Sequence, residues 1–157
     1  MIGLTNKYVE TVGFKVLNNF IGVFPCDIHP DVTGMKTFSL IFNESPHNEE
    51  GSHFVCVYAT EKRVYYFDSM GLALENNYIK MFTYSCGRPV TSKIVQLQSF
   101  ESNFCGFFCL CFLIYMSRGL PFNSFFHCFS KDLRLNDGIV VEFIKNMLNM
   151  FIRNTNT

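Results

Sequence analysis

Cys105 is followed at once by Gly106 and an apolar run, 107–116, and is preceded seven residues earlier by the amide side chain of Gln98. The run reads as a buried helix with the cysteine at its start. Backbone N–H groups and the helix dipole favour negative charge at that end, so a thiolate there is stabilised. A side-chain amide approaching the same spot can donate to an oxyanion. Those parts make the nucleophile half of a cysteine hydrolase, which also needs a histidine and a group to orient it. His53 stands at the first position of an expected strand, where a side chain can project from the sheet edge into a cleft. Asp68 ends the next strand of the same hairpin. Strand ends on one edge of a hairpin are neighbours, so the carboxylate can accept from the imidazole and fix its tautomer and tilt. Thiolate–imidazolium pairing lowers a cysteine pKa from about 8.5 to roughly 3–4. Gln98 and the Cys105 N–H would then hold the oxyanion, each donor worth about 3 kcal/mol in the barrier.

Each residue also has a plainer reading. By itself Cys105 is a small buried hydrophobe, like Cys109 and Cys111 on the same helix. His53 alone is a satisfied surface histidine, and Gln98 alone a polar residue at a strand end. The four roles together reverse that preference. His29, His47 and His127 keep the surface reading, with His47 in a polar loop and without a partner. Cys105, Cys109, Cys111, His127 and Cys128 form a Cys/His-rich region, but Cys-x3-Cys-x-Cys on one helix points 109 and 111 to different faces. No CxxC pair exists either, so no metal site is expected.

The positioning elements follow from patterning. A short helix is expected near 6–12, then a loop over 20–30 carrying Pro25 and Pro30. A strand is expected at 36–42 and a polar loop at 43–52. Residues 53–59 and 63–68, joined by Thr60-Glu61-Lys62, form a hairpin. Apolar positions at 72, 74, 78, 79 and 82 predict an amphipathic helix over 72–82 that packs on the core rather than binding a partner.

 Gly87 and Pro89 break it, and 93–98 (KIVQLQ) reads as another strand. The Cys105 helix runs to about Ser117 and stops at Gly119 and Pro121. Residues 123–134 are irregular or partly helical. Asp137 is an N-cap for a last helix over 139–153, and a polar tail follows at 154–157. The class is α+β, a small, mostly antiparallel sheet packed by helices.

Bulk properties narrow the function. A chain of 157 residues is one domain, 1–157, with room for a real core. Nineteen Phe and no Trp predict a Phe-packed core. Thirteen basic residues balance thirteen acidic ones, so nothing in the charge predicts nucleic-acid binding. Met1 to Asn6 lacks the apolar region of a signal peptide, and seven cysteines is an odd number. An intracellular, reducing compartment with free thiols is expected. The longest apolar run, 104–116, is too short to span a bilayer, so no membrane association is expected.

The order His53, Asp68, Gln98, Cys105 resembles the adenovirus endopeptidase (adenain) family. The likeness is carried by Ser-His-Phe at 52–54, Tyr-Phe-Asp-Ser-Met-Gly at 66–71 and Gln-x6-Cys-Gly-Phe-Phe-Cys at 98–109, and it covers roughly 18–116. It implies a papain-like-clan cysteine protease with the topology shared by adenain and the SUMO-specific proteases. It also implies Gly near the cleaved bond, capsid and core precursor proteins of a virus or virus-like element as substrates, and a monomer in the host nucleus and virion. Phe54 and Ser102 would line the substrate cleft, Phe54 standing where the family usually has Trp. Asp68 stands where the adenoviral enzymes usually have Glu, as in the ubiquitin-like-protein proteases, which keeps a deubiquitinase or deSUMOylase open. A catalytically inactive peptide-binding module of the same fold is the reading from another class. Adenoviral enzymes are basic and activated by DNA; the neutral charge gives DNA activation little support. They also take an activating peptide through a disulfide, for which Cys86 is the candidate, near the family's position but not in register. No other cofactor is required.

Overall fold

A computed structural model describes residues 5–155; the last two residues of the polar tail expected at 154–157 lie outside them. Helix α1 (Asn6–Val16) leads into strand β1 (Phe20–Pro25), followed by β2 (Phe38–Asn43), β3 (Phe54–Ala59) and β4 (Val64–Phe67). Helix α2 (Asn77–Ser85), strand β5 (Val90–Thr91), helix α3 (Cys105–Ser117) and helix α4 (Phe122–Phe125) come next. A 3-10 turn (Phe126–Cys128) and helix α5 (Leu133–Thr155) complete the chain. The five strands lie in sequence order in one sheet. Pairs β2–β3 and β3–β4 are antiparallel, whereas β1–β2 and β4–β5 are parallel. The α+β class holds, but the sheet is mixed rather than mostly antiparallel.

Alternation along the strands builds two cores. Phe38, Leu40 and Phe42 of β2, Val55 and Val57 of β3, and Tyr66 of β4 pack with Ile79 and Phe82 of α2. Ile41, Cys56 and Phe67 point the other way, into a core with α1, α3 and α5. Helix α3 is buried on nearly every side, so it has no polar face to pattern. The expected Phe-rich packing is present: Phe67 stacks on Phe112 at 4.6 Å between ring centroids, and Phe125 meets both edge-on. Phe112 is fully buried, so Phe112→Ala should destabilise the fold by about 3–5 kcal/mol. Urea unfolding checks this through a lower midpoint with an unchanged slope.

Four expected elements differ. Residues 20–25 form β1 rather than a loop. Gly22 has φ of 132°, and a shift in register between Phe20 and Val23 hides the strand pattern. The second helix starts at Asn77, not at 72, because the Asn76 side chain accepts from Tyr78 N–H and Ile79 N–H and caps it there. Residues 93–98 form no strand. Only Val90 and Thr91 pair with β4, which ends at Phe67 and turns away, so the edge offers no ladder for the following residues. The last helix starts at Leu133, where Asp132 accepts from Arg134 N–H at 3.1 Å. Asp137 therefore lies inside α5 and is not its N-cap.

Candidate active site

The β3–β4 hairpin sets the first pair. Its register runs from Ala59↔Val64 to Cys56↔Phe67, which places His53, just before β3, and Asp68, just after β4, at one end of the sheet. His53 Nε2 donates to Asp68 Oδ1 at 2.7 Å. The same oxygen accepts the Met70 N–H at 2.8 Å. The Asp68 side chain is 1% exposed, and its Oδ2 has no hydrogen-bond partner among the described residues. A carboxylate buried this deeply is stabilised by a protonated partner. With Nε2 committed to Asp68, Nδ1 is the ring nitrogen left for Cys105, which lines the same cleft as His53.

Burial alone would lower the His53 pKa. The Asp68 hydrogen bond, then the Cys105 hydrogen bond and the charges of both, outweigh it and raise the imidazole to about 10. His53 is thus a cation at neutral pH. The stability its proton supplies is fully present below the ordinary pKa near 6.5 and is lost as pH rises through about 10. NMR titration of the ring nitrogens should show a protonated imidazole at pH 8; a midpoint near 6.5 would contradict this.

Cys105 opens α3, and Phe104 at the N-cap offers no side-chain acceptor to its first-turn N–H groups. The thiol belongs to a residue only 8% exposed, yet it lines a cleft of about 870 Å³ with His53 and Gln98. Phe54 and Ser102 line the same cleft. Gln98 is 2% exposed, and its Nε2 donates to Ser102 O at 2.8 Å. A carbonyl only accepts, so the amide nitrogen must face Ser102 and the oxygen must face away. Ser69 Oγ then donates to Gln98 Oε1 at 2.6 Å. That leaves one amide hydrogen of Gln98 beyond the bond to Ser102.

Ser69 was not singled out by sequence, and it joins the two halves of the site. Its carbonyl accepts from Leu97 N–H at 2.9 Å and Gln98 N–H at 3.0 Å. The turn that carries it closes at Gly71, where φ is 72° and a Cβ would meet the backbone of Val95 and Gln96. Only glycine fits there, and its place directly after Asp-Ser-Met was the available sequence signal. Glu44 was missed as well. It lines the cleft, and burial raises its pKa, with His53 opposing and Asp68 adding to the shift. A lone Glu in the polar loop expected over 43–52 gave no signal.

Cys86 does not line this cleft. It caps α2 beside a separate cavity with His29 and Arg88, and its thiol donates to Phe82 O at 3.5 Å. Burial raises its pKa, with Arg88 opposing. His47 does have a partner, contrary to expectation: its ring and backbone N–H both bond Asp27. The loop expected over 20–30 hid that partner, since Asp27 lies two residues past the end of β1. Among the described residues no three His, Cys, Asp or Glu side chains gather to hold a metal ion, and all seven cysteines are free. No helix among them is long and apolar enough to cross a membrane.

The site therefore combines a thiol, an amide donor and an imidazolium in one cleft with a buried carboxylate behind the imidazolium, a set that can perform acyl transfer through a covalent thioester. No protein-family model matches the chain, and no curated protein sequence matches it.

Proposed function

We propose that the chain is a cysteine endopeptidase of the adenain type. The observation that carries this reading is the His53–Asp68 bond of 2.7 Å in a cleft shared with Cys105 and Gln98. The Cys105 thiolate attacks the scissile carbonyl carbon, a C–S bond forms, and the carbonyl π electrons move to oxygen. Gln98 and the Cys105 N–H donate to that oxyanion. As the C–N bond breaks, the His53 imidazolium gives its proton to the leaving amine. Water then adds to the thioester, His53 takes the water's proton, and the C–S bond breaks to release the acid and restore the thiolate.

The resemblance to adenain supplies the substrate class: precursor polypeptides of a virus or virus-like element, cut beside glycine. The topology shared with the SUMO-specific proteases belongs to the same proposal. Asp68 in place of Glu favours a second reading, an isopeptidase acting on ubiquitin-like proteins. Incubation with Gly-containing precursor peptides and with ubiquitin-like fusions separates the two. Cleavage of the peptides alone is the expected result; cleavage of neither, with no labelling by a thiol-directed probe, would sink the enzyme reading. Gln98→Ala should lower kcat by about 10²- to 10³-fold with little change in KM, measured on whichever substrate is cut.

A further inference from the structure

We propose that Asn136 and Asp137 of α5 are positioning residues for the oxyanion amide, clamping the backbone on both sides of Gln98; this rests on the cysteine-endopeptidase reading. Residues 93–98 carry no strand ladder, so the sheet does not place Gln98. Ser69 holds its backbone N–H and its side-chain oxygen. The flanking residues are held by α5. Asn136 is fully buried, and its Nδ2 donates to Leu97 O at 3.0 Å and to Ser130 O at 2.8 Å. Its Oδ1 accepts from Ser130 N–H at 2.7 Å, which fixes the amide's orientation. Asp137 accepts through Oδ2 from Ser99 Oγ at 2.8 Å and through Oδ1 from Ser99 N–H at 3.4 Å.

Two consecutive residues of one helix thus bind the carbonyl before Gln98 and the N–H and hydroxyl after it. Buried polar groups with satisfied bonds fix one arrangement, whereas apolar contacts alone would let the segment slide. Oxyanion catalysis is sensitive to that slide, because a misplacement of about 1 Å costs up to about 10²-fold in rate. The C-terminal helix therefore acts on the reaction through Gln98 and touches no reacting atom.

The test compares two reactions of one thiol. Hydrolysis of a Gly-Gly-aminomethylcoumarin peptide builds an oxyanion; alkylation of Cys105 by iodoacetamide displaces iodide and builds none. Asp137→Ala should lower kcat by at least about tenfold with KM within about twofold, and leave the alkylation rate unchanged. Asp137→Asn, which keeps an acceptor for Ser99, should restore most of kcat. In a Gln98→Ala background Asp137→Ala should add less than about twofold. Alkylation falling in step with kcat, or effects that multiply in that background, would overturn the inference. A wild type that hydrolyses while Asp137→Ala keeps full kcat overturns this inference alone. A wild type that is alkylated but never hydrolyses overturns the endopeptidase reading, and the inference with it. Asn136→Ala, scored the same way, provides a second variant should Asp137→Ala fail to fold.

Discussion

Cys105→Ala should abolish peptide hydrolysis, with a loss of kcat on the order of 10⁶-fold. The size follows from the chemistry: without the sulfur no thioester forms, and His53 and Gln98 retain nothing to act with. The residue lies at the start of a helix whose packing already includes small thiols at Cys109 and Cys111, so alanine there should leave the fold intact. Loss of the thiolate should also lower the His53 pKa, because Cys105 is one of the groups that raise it. Full-length chromatography and circular dichroism confirm folding, and a fluorogenic peptide assay reads the loss. Unchanged hydrolysis in the alanine variant would remove Cys105 from the site.

Asp68→Ala should cost on the order of 10⁴-fold in kcat. Asp68 Oδ1 holds both the imidazole and the Met70 N–H, so alanine frees the ring and loosens the turn that carries Ser69. The loss therefore has two parts, the orientation of the base and the seat of Gln98. Asp68→Asn separates them. Its oxygen can accept both bonds, so the turn survives while the charge that supports the imidazolium is gone. The asparagine variant should fold normally, show a lower His53 pKa by NMR, and lose less activity than the alanine variant. Equal activity in all three proteins would show that Asp68 only packs.

The central pair was legible because it depends on local chemistry. Thr60-Glu61-Lys62 between two alternating runs fixes the hairpin, and the hairpin fixes that residues at its open end are neighbours. His53 and Asp68 needed no other information to be placed together. Cys105 was legible only in combination: a thiol at the start of an apolar run reads by itself as core, and Gln98 seven residues upstream with the His53–Asp68 hairpin reverses that reading. What escaped depends on distant partners. Ser69 matters because the turn after β4 meets residues 97–98, and Asp137 because α5 reaches Ser99 across 38 positions. No local pattern encodes either contact. The two strand errors have opposite causes. Gly22 and Pro25 masked β1, whose partner strand supports it, while 93–98 has strand composition and lacks a partner edge.

The central claim is that Cys105 is an activated nucleophile, and the seven free cysteines test it directly. Accessibility alone favours Cys128, the exposed thiol, over the buried Cys105. Activation by His53 predicts the reverse, because an ordinary thiol is mostly protonated at pH 6 and the thiolate is the reactive form. Treatment with substoichiometric iodoacetamide at pH 6, followed by peptide mapping, should place the label on Cys105 first and lose that preference in His53→Ala. Label on Cys128 first, or on Cys105 equally with and without His53, would contradict the account.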